Sequence, residues 1–335
     1  MTGLMNLPKS VIIIICLALA LGTSWMSLSL GTVSLTSAEV WRGLWGQADP
    51  AINIIVQELR LPRLILGLMA GATLAIMGAA LQGLLRNPLA DPGVIGISAS
   101  ASLGAVIAIY FGWTAVSAYA VPVMAMSMAG VATLILFALA MRDSSALTLI
   151  LTGIGISSLA TAFISLVMNI APTPGSVQDM VMWMLGSLEN RTITDLWMAG
   201  PFVLAGWLML IGTSRGLDAL SLGEDAAHSL GINVTRMRWQ IILGSALSVG
   251  AIVSVCGGIG FVGLVVPHMI RSFMGSAPGR ILLPSALLGG AILVGADMVT
   301  RAVTDFGSLR LGVVTAIIGA PVFLLIVYRT RDSMR

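Results

Sequence analysis

Reactive side chains are scarce in this sequence, and those present do not assemble into chemistry. Its two histidines, His228 and His268, stand far apart, and neither lies at ligand spacing from a second metal-binding side chain, so no metal site is expected. Its two cysteines, Cys16 and Cys256, both sit inside apolar runs and read as small core hydrophobes rather than a disulfide or metal pair. The only lysine is Lys9, so a phosphate-binding loop could form only there. The segment Gly3-Leu-Met-Asn-Leu-Pro8-Lys9-Ser10 fails that test: Pro8 replaces the second glycine, no strand precedes it, and an apolar helix follows. An intramembrane enzyme would need a paired acid, a metal cluster or a nucleophile beside a base, and none is visible. Any ATP chemistry must come from another chain.

The elements that carry these residues are dictated by composition. Of 335 residues, 57% are hydrophobic and only 9% charged, against about 25% charged in soluble domains. Lipid must therefore be the solvent, and the expected fold is an all-α polytopic membrane bundle forming a single domain over 1–335. Spans need about 20 apolar residues. About ten are expected, at 11–30, 62–84, 94–112, 117–141, 146–170, 195–214, 239–257, 259–273, 281–303 and 311–329, the eighth being short for a straight crossing. The N-terminal run after Lys9 is read as a retained first span, because no cleavage site leading into a soluble domain follows. Small residues recur along the spans, as in Ala70–Gly71–Ala72 and Gly78–Ala79–Ala80, and let helix backbones approach closely.

With ten spans and an inner N-terminus, basic residues divide eleven inside (Lys9 and Arg86, Arg142, Arg215, Arg236, Arg238, Arg271, Arg280, Arg329, Arg331, Arg335) against six outside. Both termini are thus expected in the cytoplasm. The outer six, Arg42, Arg60, Arg63, Arg191, Arg301 and Arg310, run against that bias. A net charge of +3, thinly spread, is no nucleic-acid footprint. The spacing of Gly71–Ala72 and Gly78 returns at Gly250–Ala251 and Gly257, which suggests inverted halves. Asp297 is the one acid placed to lie within the membrane, too little for an ion-coupled secondary transporter, the main alternative class.

The polar stretch 215–238 reads as an ordered inner loop. Ser221-Leu-Gly-Glu224 fits a capping box and Gly231 fits the position after a helix end, predicting a short helix over Leu222–Leu230 that bears Glu224, Asp225 and His228. Such a helix is either a merely solvated surface or a docking element.

Several segments resemble the signatures of the FecCD family, the permeases of ATP-binding-cassette importers for iron–siderophores, haem and cobalamin. They are Leu59-Arg60-Leu61-Pro62-Arg63, Gln82-Gly-Leu-Leu-Arg86-Asn87-Pro88-Leu89-Ala90-Asp91-Pro92-Gly93, Leu222-Gly-Glu224, Gly260-Phe-Val-Gly-Leu-Val-Val-Pro267-His268, Ala296-Asp297 and Gly312-Val-Val-Thr-Ala-Ile-Ile-Gly319-Ala-Pro321. The resemblance implies ten spans per subunit, a homo- or heterodimer of permeases in a bacterial inner membrane, two ATPase subunits holding ATP and Mg, and a periplasmic or lipid-anchored substrate-binding protein. This chain itself would bind no cofactor. It implies that Arg60, Arg63 and Arg301 face glutamates on the binding protein, and that Asn87, Pro88 and Leu89 belong to a cytoplasmic gate. It implies that 217–231, with Leu222, Gly223, Glu224, Asp225 and His228, couples to the ATPase. Gly153, Gly155, Ser157, Ser158 and Thr161 would line the pathway. His268 follows Pro267 in the family whatever the cargo, so a structural role is expected. The family's usual Glu-Leu-Pro-x-Gly is replaced here by Leu309-Arg310-Leu311-Gly312. The implied cargo is an iron–siderophore-type chelate, with haem or cobalamin as alternatives.

Overall fold

The computed structural model describes residues 8–140, 146–303 and 309–331, all helical or connecting, with no strand among them. Arg142 and Arg335, counted above on the inner side, lie outside the described residues. In chain order the helices are α1 (Lys9–Ser29), α2 (Ser37–Leu44), α3 (Pro50–Ile54), α4 (Leu61–Leu84), α5 (Ile97–Tyr110), α6 (Ala120–Ala140), α7 (Ala146–Asn169), α8 (Pro174–Met184), α9 (Ile193–Met209), α10 (Thr213–Leu220), α11 (Glu224–Ser229), α12 (Val234–Cys256), α13 (Val262–Met274), α14 (Pro278–Ala302) and α15 (Leu311–Arg331). A π-helical turn, Ile55–Arg60, leads from α3 into α4, and a 3₁₀ turn, Pro92–Ile95, precedes α5.

Each of the ten expected spans coincides with a helix. Six helical stretches among the described residues are long and apolar enough to cross a membrane unaided, and α9 with α10, bent by 53° at their junction, would make a seventh. The remaining three, α5, α13 and α15, are shorter apolar helices. Multi-pass membrane insertion follows from these lengths and from the lack of polar surface along them.

The bundle centre is the pair α4 and α14, which pack along most of their length. Glycine makes this possible. A Cβ on Gly71 would run into the Gly289 carbonyl, and one on Gly289 into the Gly71 carbonyl, so the two backbones touch directly. Lower on α4, Gly78 meets Gly263 of α13 in the same way. The glycines proposed as their echo are also close-packed, against other elements. A Cβ on Gly250 would come within 3.2 Å of the Ala129 side chain, and one on Gly257, which ends α12 at φ 72°, would run into the Trp183 carbonyl. Their partners differ from those of Gly71 and Gly78, and inverted halves are not shown by these contacts.

Candidate functional site

At one end of the bundle the C-terminus of α1, the N-terminus of α4 and the C-terminus of α14 converge on three arginines and one aspartate. Arg60 donates to the carbonyls of Leu28 (2.5 Å), Ser29 (3.0 Å) and Val33. The last carbonyls of a helix lack partners of their own, and a guanidinium satisfies them while matching the negative end of the helix dipole. Arg63 grips Asp297 at two points: Nη2 lies 2.7 Å from Oδ1 and Nε 2.9 Å from Oδ2. Arg301, one turn beyond Asp297 on α14, places Nη2 3.2 Å from Oδ2 of the same carboxylate. It also donates to the Ser27 and Leu30 carbonyls and to Ser27 Oγ. Asp297 is 2% exposed and Arg60 8%. The three arginines thus come together, but as a staple across three helix ends rather than as freely projecting groups. Two more of the six anomalous arginines are also paired: Arg191 with Asp195 at 3.7 Å, and Arg310 with Glu189 at 3.5 Å.

At the opposite end, α4 stops in a turn built from side-chain caps. Arg86 adopts a left-handed conformation, φ 47°, so that the Asn87 amide can bond back to the Gln82 carbonyl at 3.1 Å. Asn87 Oδ1 accepts from the Leu89 amide at 2.9 Å, and Asp91 Oδ1 accepts from the Gly93 amide at 2.8 Å. Burial pushes the Asp91 carboxyl up from its usual range, with the Gly93 hydrogen bond opposing. Pro88 and Leu89 are exposed, whereas Ala90 is buried. Gln82 Nε2 donates to the Gly263 carbonyl at 3.1 Å, tying this turn to α13.

The five small and hydroxylated residues of α7 divide into two faces. Gly153 is buried beside Gly96, and Ser157 Oγ approaches the Gly93 carbonyl at 3.4 Å, so both look onto the 86–96 loop. Gly155, Ser158 and Thr161 open on a face that none of the described residues covers. That face is rich in exposed apolar groups, among them Leu151, Leu159 and Leu166.

The polar loop departs from expectation in detail. The expected capping box is absent: Ser221 Oγ donates to the Asp218 carbonyl at 2.6 Å, and Gly223, at φ 114°, serves as the N-cap of α11 without a side-chain bond. The helix is accordingly Glu224–Ser229 rather than Leu222–Leu230, and Gly231 follows its end at φ 76° as expected. Glu224 Oε1 pairs with buried Arg238 at 2.9 Å, which fixes α11 on the start of α12. The tip then presents Asp225, His228 and two large apolar side chains, Leu222 at 73% and Leu230 at 64% exposure. Exposed leucines on an otherwise polar loop suit a protein partner. His268 is half-buried within α13, and no cluster of three or more His, Cys, Asp or Glu is placed to hold a metal among the described residues.

Residues 14–329 match the FecCD transport family. The vitamin B12 import system permease protein of Vibrio cholerae is 40% identical over 313 residues, covering 91% of this chain and 92% of that protein. The Fe(3+) dicitrate transport system permease protein of Escherichia coli is 36% identical over 326 residues, covering 96% and 99%. A solved metal-chelate type ABC transporter in an inward-facing conformation superposes with a TM-score of 0.86 at 31% identity, over 96% of this chain and 99% of that one.

Proposed function

The chain belongs to the FecCD transport family and is a permease subunit of an ABC importer; from that premise we propose that it carries a preassembled metal chelate inward, an iron–siderophore-type complex first, with haem or cobalamin as alternative cargo. The observation that carries the reading is the loop α10–α11. It is an ordered, largely polar module past the bend after α9, braced by Glu224–Arg238 and tipped with exposed Leu222 and Leu230. Such a module suits a cleft on a separate ATPase, which supplies the ATP, the Mg and the hydrolysis. The whole chain acts as one transmembrane domain in a bacterial inner membrane, with both termini and α10–α11 in the cytoplasm.

The remaining assignments follow from that orientation. The Arg60–Arg63–Arg301 end faces the periplasmic binding protein, and the cluster of three guanidiniums around one aspartate holds the helix ends that the binding protein meets. The turn at Asn87, Pro88 and Leu89 forms the inner gate. The uncovered face of α7, with Gly155, Ser158 and Thr161, meets the second permease subunit and the passage between them, while Gly153 and Ser157 hold α7 to the gate loop. Cobalamin is the favoured second cargo, because the 40% identical relative is named for it.

Cargo is tested by reconstituting the chain with its ATPase and binding protein and presenting ferric hydroxamate, hemin and cyanocobalamin in turn. ATP-dependent uptake of the ferric chelate alone is expected. Uptake of cyanocobalamin alone would move the assignment to the alternative.

A further inference from the structure

A helix needs its first backbone amides satisfied, and α14 does not do this alone. Its N-cap is Ala277, which has no side-chain acceptor, and Pro278 at the first position has no amide proton. The Gly279 amide instead donates to Oδ1 of Asp218, 2.7 Å away on α10. The cap of α14 therefore comes from another helix, and its negative charge sits at the positive end of the helix dipole. The fit is close. A Cβ on Gly279 would run into the Ser214 carbonyl and come within 2.9 Å of Asp218 Oδ2. The end of α4 joins the same junction: a Cβ on Gly83 would lie 2.7 Å from Pro278 Cβ and 3.3 Å from Leu217 Cδ2. Leu217 is fully buried, and α4 passes from Gly83 directly into the 86–92 turn.

We propose that Asp218 is the positioning residue through which movement of the α10–α11 module reaches α14 and the gate turn. The inference rests on the reading of α10–α11 as the ATPase-facing module. Leu222 and Leu230 touch the partner, whereas Asp218 faces inward and converts a tilt of α10 into a pull on the first turn of α14. Because α14 is packed backbone to backbone on α4, that pull acts on α4 as well, and α4 runs directly into the turn.

The test uses the complex with its ATPase in proteoliposomes, Cys16 and Cys256 replaced by alanine, and Leu89→Cys as a reporter for a membrane-impermeant maleimide. Three variants are compared: Asp218→Ala, Gly279→Ala, which wedges the same contact from the other side, and Asp218→Asn, which keeps the acceptor oxygen. In Asp218→Ala and Gly279→Ala, amide exchange over 279–282 should quicken roughly tenfold, as for a lost cap. ATPase retention and hydrolysis should persist, while the ATP-dependent change in Leu89→Cys labelling disappears. Asp218→Asn should behave as the parent. A normal labelling response in Asp218→Ala overturns the proposal, even if exchange quickens. Loss of the ATPase in both aspartate variants makes Asp218 a docking or folding residue and overturns it as well. A parent chain that retains no ATPase overturns the functional reading, and the transmission role with it.

Discussion

Arg63 and Asp297, 234 positions apart in sequence, form a two-point ion pair at the meeting of α4 and α14, with Nη2 2.7 Å from Oδ1. The carboxylate is nearly sealed and also holds Arg301, so one buried negative charge organises two guanidiniums. Removing it takes the carboxylate from Arg63 and leaves Arg301 its contacts with the end of α1. Asp297→Ala should destabilise the chain by about 3–5 kcal/mol. Chemical denaturation in detergent checks this, and a loss below about 1 kcal/mol would reduce the cluster to an ordinary surface pairing. The same geometry makes Arg60→Glu and Arg63→Glu poor probes of binding-protein docking. The first would press a carboxylate against three carbonyls, and the second would set it against Asp297.

The contact between α4 and α14 makes a second prediction, with an internal control. Gly71→Ala drives a methyl into the Gly289 carbonyl, whereas a Cβ on Gly130 in α6 meets nothing within 4 Å. Gly71→Ala should cost about 1–3 kcal/mol through overpacking. Gly130→Ala should be tolerated. Thermal unfolding of the two variants side by side decides the matter, and equal melting temperatures would refute the close-packed axis.

The α10–α11 module should govern the ATPase. Gly223 holds φ 114°, which proline cannot adopt, since its ring fixes φ near −65°. Gly223→Pro, or charge reversal at Glu224 and Asp225, should detach the ATPase or leave its hydrolysis without transport. Co-purification and transport-linked hydrolysis at parent levels would dismiss the module as a solvated surface.

Much of this was legible in the sequence where the signal is local. Runs of apolar residues in a chain only 9% charged marked the long apolar helices, because lipid demands them. The turn after α4 was marked by Asn87, Pro88, Asp91 and Pro92, and the Asn87 and Asp91 side chains do cap it. What escaped were partnerships across distance. Asp297 stood out as a lone acid, but nothing local pointed to Arg63. The Ala277-Pro278-Gly279 start of α14 lacks a cap of its own, yet the acceptor on Asp218 lies in a different helix. The capping box at Ser221 misled for a related reason: the positive φ of Gly223 redirects the chain, and Ser221 turns back to Asp218 instead.

Gate geometry is tested by cysteine chemistry. The turn at Asn87 is fastened at both ends, by the Gln82 carbonyl behind it and the Leu89 amide ahead, so it should move as one piece. Asn87→Cys in both subunits of a homodimer should cross-link in the resting state, block uptake and leave binding-protein docking intact. Poor cross-linking in every nucleotide state would place the inner constriction elsewhere.

The most direct measurement of the central claim is uptake by the assembled system. The chain, its ATPase and its binding protein, in sealed proteoliposomes, should accumulate a radiolabelled ferric chelate only when ATP is present. Accumulation should persist when an ionophore abolishes every ion gradient, and should cease when either partner protein is omitted. Uptake that collapses with the ionophore and continues without ATP would contradict the account and make the chain an ion-coupled transporter.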